Sequence, residues 1–338
     1  MLSSFSALGA TPPPKFDGAF LWVGNDHVQW TGERWKSEFG WMRQLGFKTV
    51  IVSGCVHEKT AIYPTSIPGL SPAKGDAVLQ VLNHADANGM DVHLGLVGAR
   101  RWWSDTSEAF LDELTSLSKA TASELYDRYK SHPSLHGFYI TGEIDNMTWV
   151  DEILRKRLAE RFLKPVSDHI KSLNKSLVVS EAPFFNIKFQ GPEEYGKWWE
   201  KTFKEVPNLD LLIPQDGIGV KHAELADVKK YFGALRDACK ANGRVLWSDL
   251  EIFEQQQGGH SKPAGIKRII EQLAVEKPFV EKIVFWEFGS YLSPGQSSQA
   301  AELFNQYLNY LNGGQAFSTL PGTGPTSPSK ESAPDGGR

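Results

Sequence analysis

Short runs of apolar and β-branched residues alternate with longer stretches whose apolar positions recur at three- and four-residue spacing, and the alternation holds along most of the chain. The short runs predict strands at 16–23, 48–52, 91–97, 135–141, 176–180, 209–213, 244–249 and 282–288. The longer stretches predict helices at 33–45, 76–88, 107–130, 150–173, 192–205, 222–241, 264–276 and 299–311. Gly46, Gly89 and Asn242-Gly243 fall where helices should stop, and Pro192 where one should start. Pro165 lies inside the fourth helical stretch and predicts a kink or break there, because it has no N–H to give to the preceding turn.

Strands and helices in strict alternation imply a parallel sheet, since each helix carries the chain back to start the next strand in the same direction. Eight such pairs at this length fit a single α/β (β/α)8 TIM barrel over residues 15–312. The rival, an open doubly wound sheet, would use a glycine-rich phosphate turn after strand one, and none is there. From Asn312 the chain turns to Gly, Pro, Ser and Thr, so 313–338 reads as a linker or disordered tail.

Composition narrows the partners. A net charge of −4 without Lys/Arg runs gives no nucleic-acid footprint, and no apolar stretch is long enough to span a membrane. Cys55 and Cys239 match no metal or disulfide spacing and read as buried thiols. Residues 1–14 are polar and lack the basic start and apolar core of a signal peptide, so the segment leaves the compartment open. Eleven Trp, including the doublets Trp102-Trp103 and Trp198-Trp199, exceed what a core of this size usually takes. Indole faces stack on sugar rings, which points to a carbohydrate ligand, although most large aromatics fill cores. Trp22, Trp103, Trp247 and Trp286 stand near strand ends and are the candidate sugar platforms.

In a barrel the chemistry gathers at the carboxyl ends of the strands. Strand four, Leu135-His-Gly-Phe-Tyr-Ile-Thr-Gly-Glu143, delivers a carboxylate just as it runs out, with Asp145 and Asn146 behind it. Strand five ends at Glu181, strand six leads to Gln215 and Asp216, strand seven to Asp249 and Glu251, and strand eight to Trp286 and Glu287. A lone acid at a strand end is more often a cap, but a rim of acids, amides and Trp suits glycosidic bond cleavage, which needs two opposed carboxylates. Glu143 is the candidate acid/base. Asp249 and Glu251 share parity on strand seven and both can face inward; Glu287 has inward parity with Ile283 and Phe285 on strand eight and is a rival. Asn146, Gln215, Asp216, Asp249 and Glu287 are the candidate polar contacts to substrate.

These segments resemble the (β/α)8 glycoside hydrolases of the large retaining superfamily, which place an acid/base after strand four and a nucleophile after strand seven. By position the resemblance implies Glu143 as acid/base, Glu251 as nucleophile and a retaining mechanism. More closely, Tyr139-Ile-Thr-Gly-Glu-Ile-Asp-Asn146, Pro214-Gln-Asp-Gly-Ile-Gly219 and Trp286-Glu-Phe-Gly-Ser-Tyr-Leu-Ser-Pro294 resemble an uncharacterised family of TIM-barrel, glycosidase-like proteins. One departure is plain: the superfamily carries Asn immediately before the acid/base, and here that residue is Gly142. The resemblance implies a polysaccharide or oligosaccharide substrate, secretion in keeping with such a substrate, no cofactor and a monomer.

Other chemistries find less support. Strand one has no His-x-His, and His93 inside strand three reads as a core residue, so no metal site is expected. Gly-x-Ser-x-Gly is absent, which removes the simplest serine hydrolase. The alternative class is a non-catalytic carbohydrate-binding barrel protein, with a Trp-lined cleft but an incomplete carboxylate pair.

Overall fold

The computed structural model describes residues 12–313. It is a mixed α/β fold whose centre is a curled parallel sheet of seven strands in chain order: Gly18–Leu21, Thr49–Val52, Asp91–Gly95, Leu135–Ile140, Val178–Glu181, Leu211–Leu212 and Val245–Leu246. Past Trp247 the seventh run resumes as Ser248–Glu251 and pairs in parallel with Ile283–Trp286. It keeps its earlier neighbour too, since Asp249 N–H donates to Pro214 O at 2.9 Å and Asp216 N–H to Asp249 O at 3.1 Å. The eighth run reaches the first, where Asp17 N–H donates to Ile283 O at 2.7 Å. Strands are found at all eight predicted places, most of them shorter than the apolar runs that announced them.

Helices cover the outside of the sheet. Pro192–Glu205 lies at its predicted bounds, with Pro in its first turn. The fourth helical stretch has the break expected of Pro165, in the form of one π turn: Glu152–Leu158, then Ala159–Leu163, then Lys164–Leu173. Pro165 leaves the Arg161 carbonyl without its helical donor, and Thr115 Oγ1 donates to that carbonyl at 2.6 Å. Two small sheets went unpredicted because their strands are only two or three residues long: one built from Val56–His57, Thr60–Ala61 and Val97–Gly98, and a hairpin of Phe253–Gln255 with Ser261–Pro263.

Successive side chains on each strand point to opposite faces, which gives two apolar layers. The larger lies between sheet and helices and takes Ala19, Leu21, Val50, Val52, Phe138 and Ile140. The smaller fills the concave interior with Phe20, Ile51, Tyr139, Ala182, Leu211, Ile213, Trp247 and Val284. This layering corrects two sequence expectations. Ile283 and Phe285 belong to the helix side, Phe285 lying 4.5 Å from Phe16 and 5.7 Å from Phe47 between ring centroids, so Glu287 does not have inward parity. Val284 and Trp286 are the inward pair. Trp247 is a floor residue, 7% exposed, with His93 on one side and Lys282 Nζ 4.5 Å from its ring, so it is not a sugar platform.

Cys55 and Cys239 are buried free thiols, and His93 is buried with Nδ1 3.2 Å from Ser180 Oγ, as a core residue. The tail expected at 313–338 lies, from 314 on, outside the described residues, as does most of the polar N-terminal segment.

Candidate active site

Strand four delivers Glu143 through a backbone clamped on both sides. Thr141 Oγ1 donates to the Val97 carbonyl, Trp102 Nε1 to the Glu143 carbonyl at 2.8 Å, and Ile144 N–H to Glu181 Oε1 at 3.3 Å. Gly142 is required by Trp102. A Cβ at 142 would sit 2.7–2.9 Å from three atoms of the indole ring, which is itself wedged against Trp149 and Phe162. The Asn that the superfamily carries at this position therefore has no room. Glu143 itself is half-buried.

Strand seven brings up Asp249 and Glu251, both inward by their period-two relation to Trp247. Glu251 is only 2% exposed, and its Oε2 accepts from Val220 N–H at 2.9 Å. That approach depends on Gly219, where a Cβ would stand 2.9 Å from Glu251 Oε2 and 2.5 Å from the Phe253 carbonyl. Burial, then the negative charge of Asp216, pushes the Glu251 carboxyl up to about 8. Asp249 is fully buried and well above the usual carboxylate range, through burial first and then the charges of Glu251, Asp216 and Glu143. Its Oδ1 has no hydrogen-bond partner among the described residues. Below them the Tyr139 phenol is raised by burial and by the charges of Glu143, Glu181 and Asp249, so these acids ring one hydroxyl.

The remaining sequence candidates divide. Trp22 and Trp103 are exposed at 37% and 45%. Trp22 stacks on His57 at 5.5 Å, and Trp103 lies 6.1 Å from Phe184, which stacks on His222. Trp286 is half-buried over Phe20 at the top of the interior, and Gln215 is half-buried beside Asp249, to which it is bridged in parallel. These four stand at the mouth formed by the strand ends.

Three candidates are taken up by the framework instead. Asn146 is buried, donating to the Asn186 and Gln190 carbonyls and accepting from Asn186 N–H, so its amide ties two loops together. Asp216 is buried behind Glu251 and accepts from Ile218 N–H at 3.1 Å and Glu251 N–H at 3.3 Å. Glu287 accepts from Gly289, Ser290 and Trp22 N–H and caps the short helix Phe288–Tyr291. Their side chains are spent on backbone N–H or carbonyl groups, which polar residues in tight turns satisfy first.

Sequence reasoning gave Trp102, Glu181 and Tyr291 no role of their own in the site. Tyr291 stacks on Phe253 at 5.2 Å, and its hydroxyl is pushed up to about 12 by burial first and then by the charges of Glu287 and Glu251. Glu181 was visible at the end of strand five, but nothing local marks it as the acceptor of Ile144 N–H. Burial raises its carboxyl well above its usual range. The site thus holds two kinds of carboxyl. Glu143 is within reach of solvent, whereas Glu251, Asp249 and Glu181 are sunk in a medium that favours their neutral forms.

The chain matches, over residues 16–298, the family model of a domain of unknown function (DUF4434). No curated protein matches it. Among solved structures it is similar to a candidate α-L-fucosidase from Bacteroides thetaiotaomicron VPI-5482, with TM-score 0.78 at 21% identity over 92% of this chain and 98% of that one. It is also similar to an endo-1,4-β-D-mannanase from Thermotoga petrophila RKU-1, with TM-score 0.61 at 16% identity over 88% and 99%. A third is a GH18 chitinase from Pseudoalteromonas aurantia, with TM-score 0.54 at 11% identity over 88% and 99%. At such identities the likeness is one of fold, the TIM-barrel-like α/β architecture.

Proposed function

The chain belongs to the DUF4434 family, and from the geometry of its site we propose that it is a glycoside hydrolase acting on a polysaccharide or oligosaccharide, built on a complete (β/α)8 barrel. Residues 15–312 would form that barrel, with the Asp17–Ile283 hydrogen bond supporting closure between the first and eighth strands. One observation carries the functional reading. A half-buried Glu143 and an inward Glu251 rise from the ends of strands four and seven, below a mouth bearing Trp22, Trp103 and Trp286. The fold shared with a mannanase and a chitinase supports it further.

In this reading the mechanism is retaining. Glu251 attacks the anomeric carbon as its carboxylate, the glycosidic C–O bond breaks, and Glu143 gives its proton to the leaving oxygen. Water then replaces Glu251 at that carbon, and Glu143 takes the water proton back. Attack needs Glu251 ionised while Glu143 still holds its proton, so turnover should pass through a maximum with pH, with Glu251 setting the limb near 8.

The test is a reducing-end assay over a polysaccharide panel from pH 5 to 9, comparing the intact chain with Glu143→Gln. We expect cleavage of at least one glycan and a loss on the order of 100-fold or more in the variant, the scale of a positioned general acid. Cleavage that Glu143→Gln matches would remove Glu143 from its role. The depth of Glu251 favours a second reading, a sugar-binding barrel without turnover. Binding of a glycan that is never cleaved would select it.

A further inference from the structure

Behind Glu251 lies a buried polar chain that none of the chemistry above uses. Asp216 Oδ1 accepts from the N–H of Glu251 at 3.3 Å and from that of Ile218 at 3.1 Å. Its Oδ2 accepts from Gln272 Nε2, and the carboxyl of Glu276 adjoins it, with Oε1 finding no N–H or O–H donor among the described residues. Gln272 and Glu276 both stand on the helix Ile266–Glu276, and Ser248 Oγ donates to Glu276 in turn. Asp216, Gln272 and Glu276 are completely buried. The loop that Asp216 ties down through Ile218 is the one whose Val220 N–H binds Glu251 Oε2 at 2.9 Å.

We propose that Asp216 is a positioning residue for Glu251: one buried carboxylate fixes both the main chain of Glu251 and the loop that binds its side chain. Two carboxyls can share a hydrogen bond only if one of them is protonated. Asp216 accepts from two backbone N–H groups and an amide, whereas Glu276 accepts only the Ser248 hydroxyl. Asp216 is therefore the ionised member, and Glu276 carries the proton.

That leaves one negative charge directly behind Glu251, in a medium too dry to screen it. The other groups facing Glu251 are Asp249 on its own strand, Arg268 and Glu276 on the helix behind, and Tyr291 across the mouth. Arg268 opposes Asp216 but spends its guanidinium on the Glu251 and Phe253 carbonyls, at 2.9 and 2.6 Å. Asp216 thus both aims Glu251 and makes it keep its proton to higher pH. In a glycosidase of the kind proposed above, on which this inference rests, it would shift the limb of the pH profile that Glu251 sets.

The test removes the charge and keeps the shape. In protein carrying 13C-labelled Glu carboxyls, the Glu251 signal is assigned by its loss in Glu251→Gln and titrated in the parent and in Asp216→Asn. We expect the midpoint to fall by about one pH unit or more in Asp216→Asn. An unchanged midpoint overturns the proposal.

Glu276→Gln supplies the contrast, because its amide N–H can replace the carboxyl O–H toward Asp216 and leave the charge in place. Its Glu251 midpoint should stay within about 0.3 unit of the parent, a small fraction of the shift that a neighbouring charge causes. A fall equal to that in Asp216→Asn would mean that any loosening of the chain moves Glu251, and would also overturn the proposal. If Asp216→Asn does not fold, Gln272→Leu takes its place. Deprived of that donor, Asp216 binds a proton more readily, so the midpoint must again fall. These titrations decide the role of Asp216 whether or not any glycan is cleaved, whereas a parent that cleaves none removes the hydrolase reading alone. Where one is cleaved, the limb of the pH profile near 8 should move down with the titration.

Discussion

At position 142 a hydrogen is the largest group that fits. The Trp102 indole occupies the place of a side chain there and gives its N–H to the carbonyl of Glu143, the next residue. Gly142→Ala would push that ring against Trp149 and Phe162, which are packed and cannot give way. We expect it to cost about 1–3 kcal/mol in urea unfolding, as overpacking of a close-packed core does, and to lower any hydrolysis by more than the lost folded fraction explains. A cost below about 0.5 kcal/mol, typical of an unstrained surface change, would mean that the indole yields freely. The departure at Gly142 was legible in the sequence. Its cause was not, because the clashing ring comes from a position 40 residues earlier in the chain. The same limit applies to Asn146 and Asp216: their types suit a site, but their partners, Asn186, Gln190 and Gln272, are brought to them only by folding.

Among the elements, the strands were legible in place and order but not in which way they face. Ile283–Trp286 is apolar at every position, as expected of a parallel strand covered on both sides, so its parity carries no direction. That is why Glu287 read as inward when it caps the Phe288–Tyr291 helix. The helix Pro192–Glu205, half wet and half dry, could be read to the residue. The cap makes Glu287 a stability residue. Glu287→Ala leaves the N–H groups of Gly289, Ser290 and Trp22 without their acceptor and should cost about 1–3 kcal/mol. Glu287→Gln, which keeps one oxygen, should cost less. Chemical denaturation of both, beside Glu143→Gln, separates the roles: the Glu287 variants should lose stability, and Glu143→Gln should lose turnover with stability near that of the parent. Full stability in Glu287→Ala would return Glu287 to the list of candidate ligands.

Seen as a whole, the molecule buries acids at the end of its sheet where the two apolar layers part, and that arrangement ties its stability to pH. Glu181, Asp249, Glu251 and Glu276 are buried, and each is raised above its ordinary value with burial as the first cause. A carboxyl raised by folding keeps, in the folded chain, a proton that the unfolded chain releases near 4.5. Its contribution is complete below that pH and is lost as pH climbs toward the folded-state value, by up to about 1.4 kcal/mol per pH unit per group. For Glu251 the window runs from 4.5 to about 8. Glu181 isolates the effect, because Gln copies its protonated shape and Glu181 Oε1 needs only to accept from Ile144 N–H. Glu181→Gln should match the parent at pH 5 to within about 1 kcal/mol, the scale of one rearranged hydrogen bond. It should then gain on the parent by about 1–3 kcal/mol by pH 8, since the parent alone has a proton to lose. Urea unfolding of the two proteins at unit pH steps reads the difference directly. A flat difference would mean that Glu181 is ionised in the folded chain, and that the ground behind Glu143 is wetter than its burial indicates.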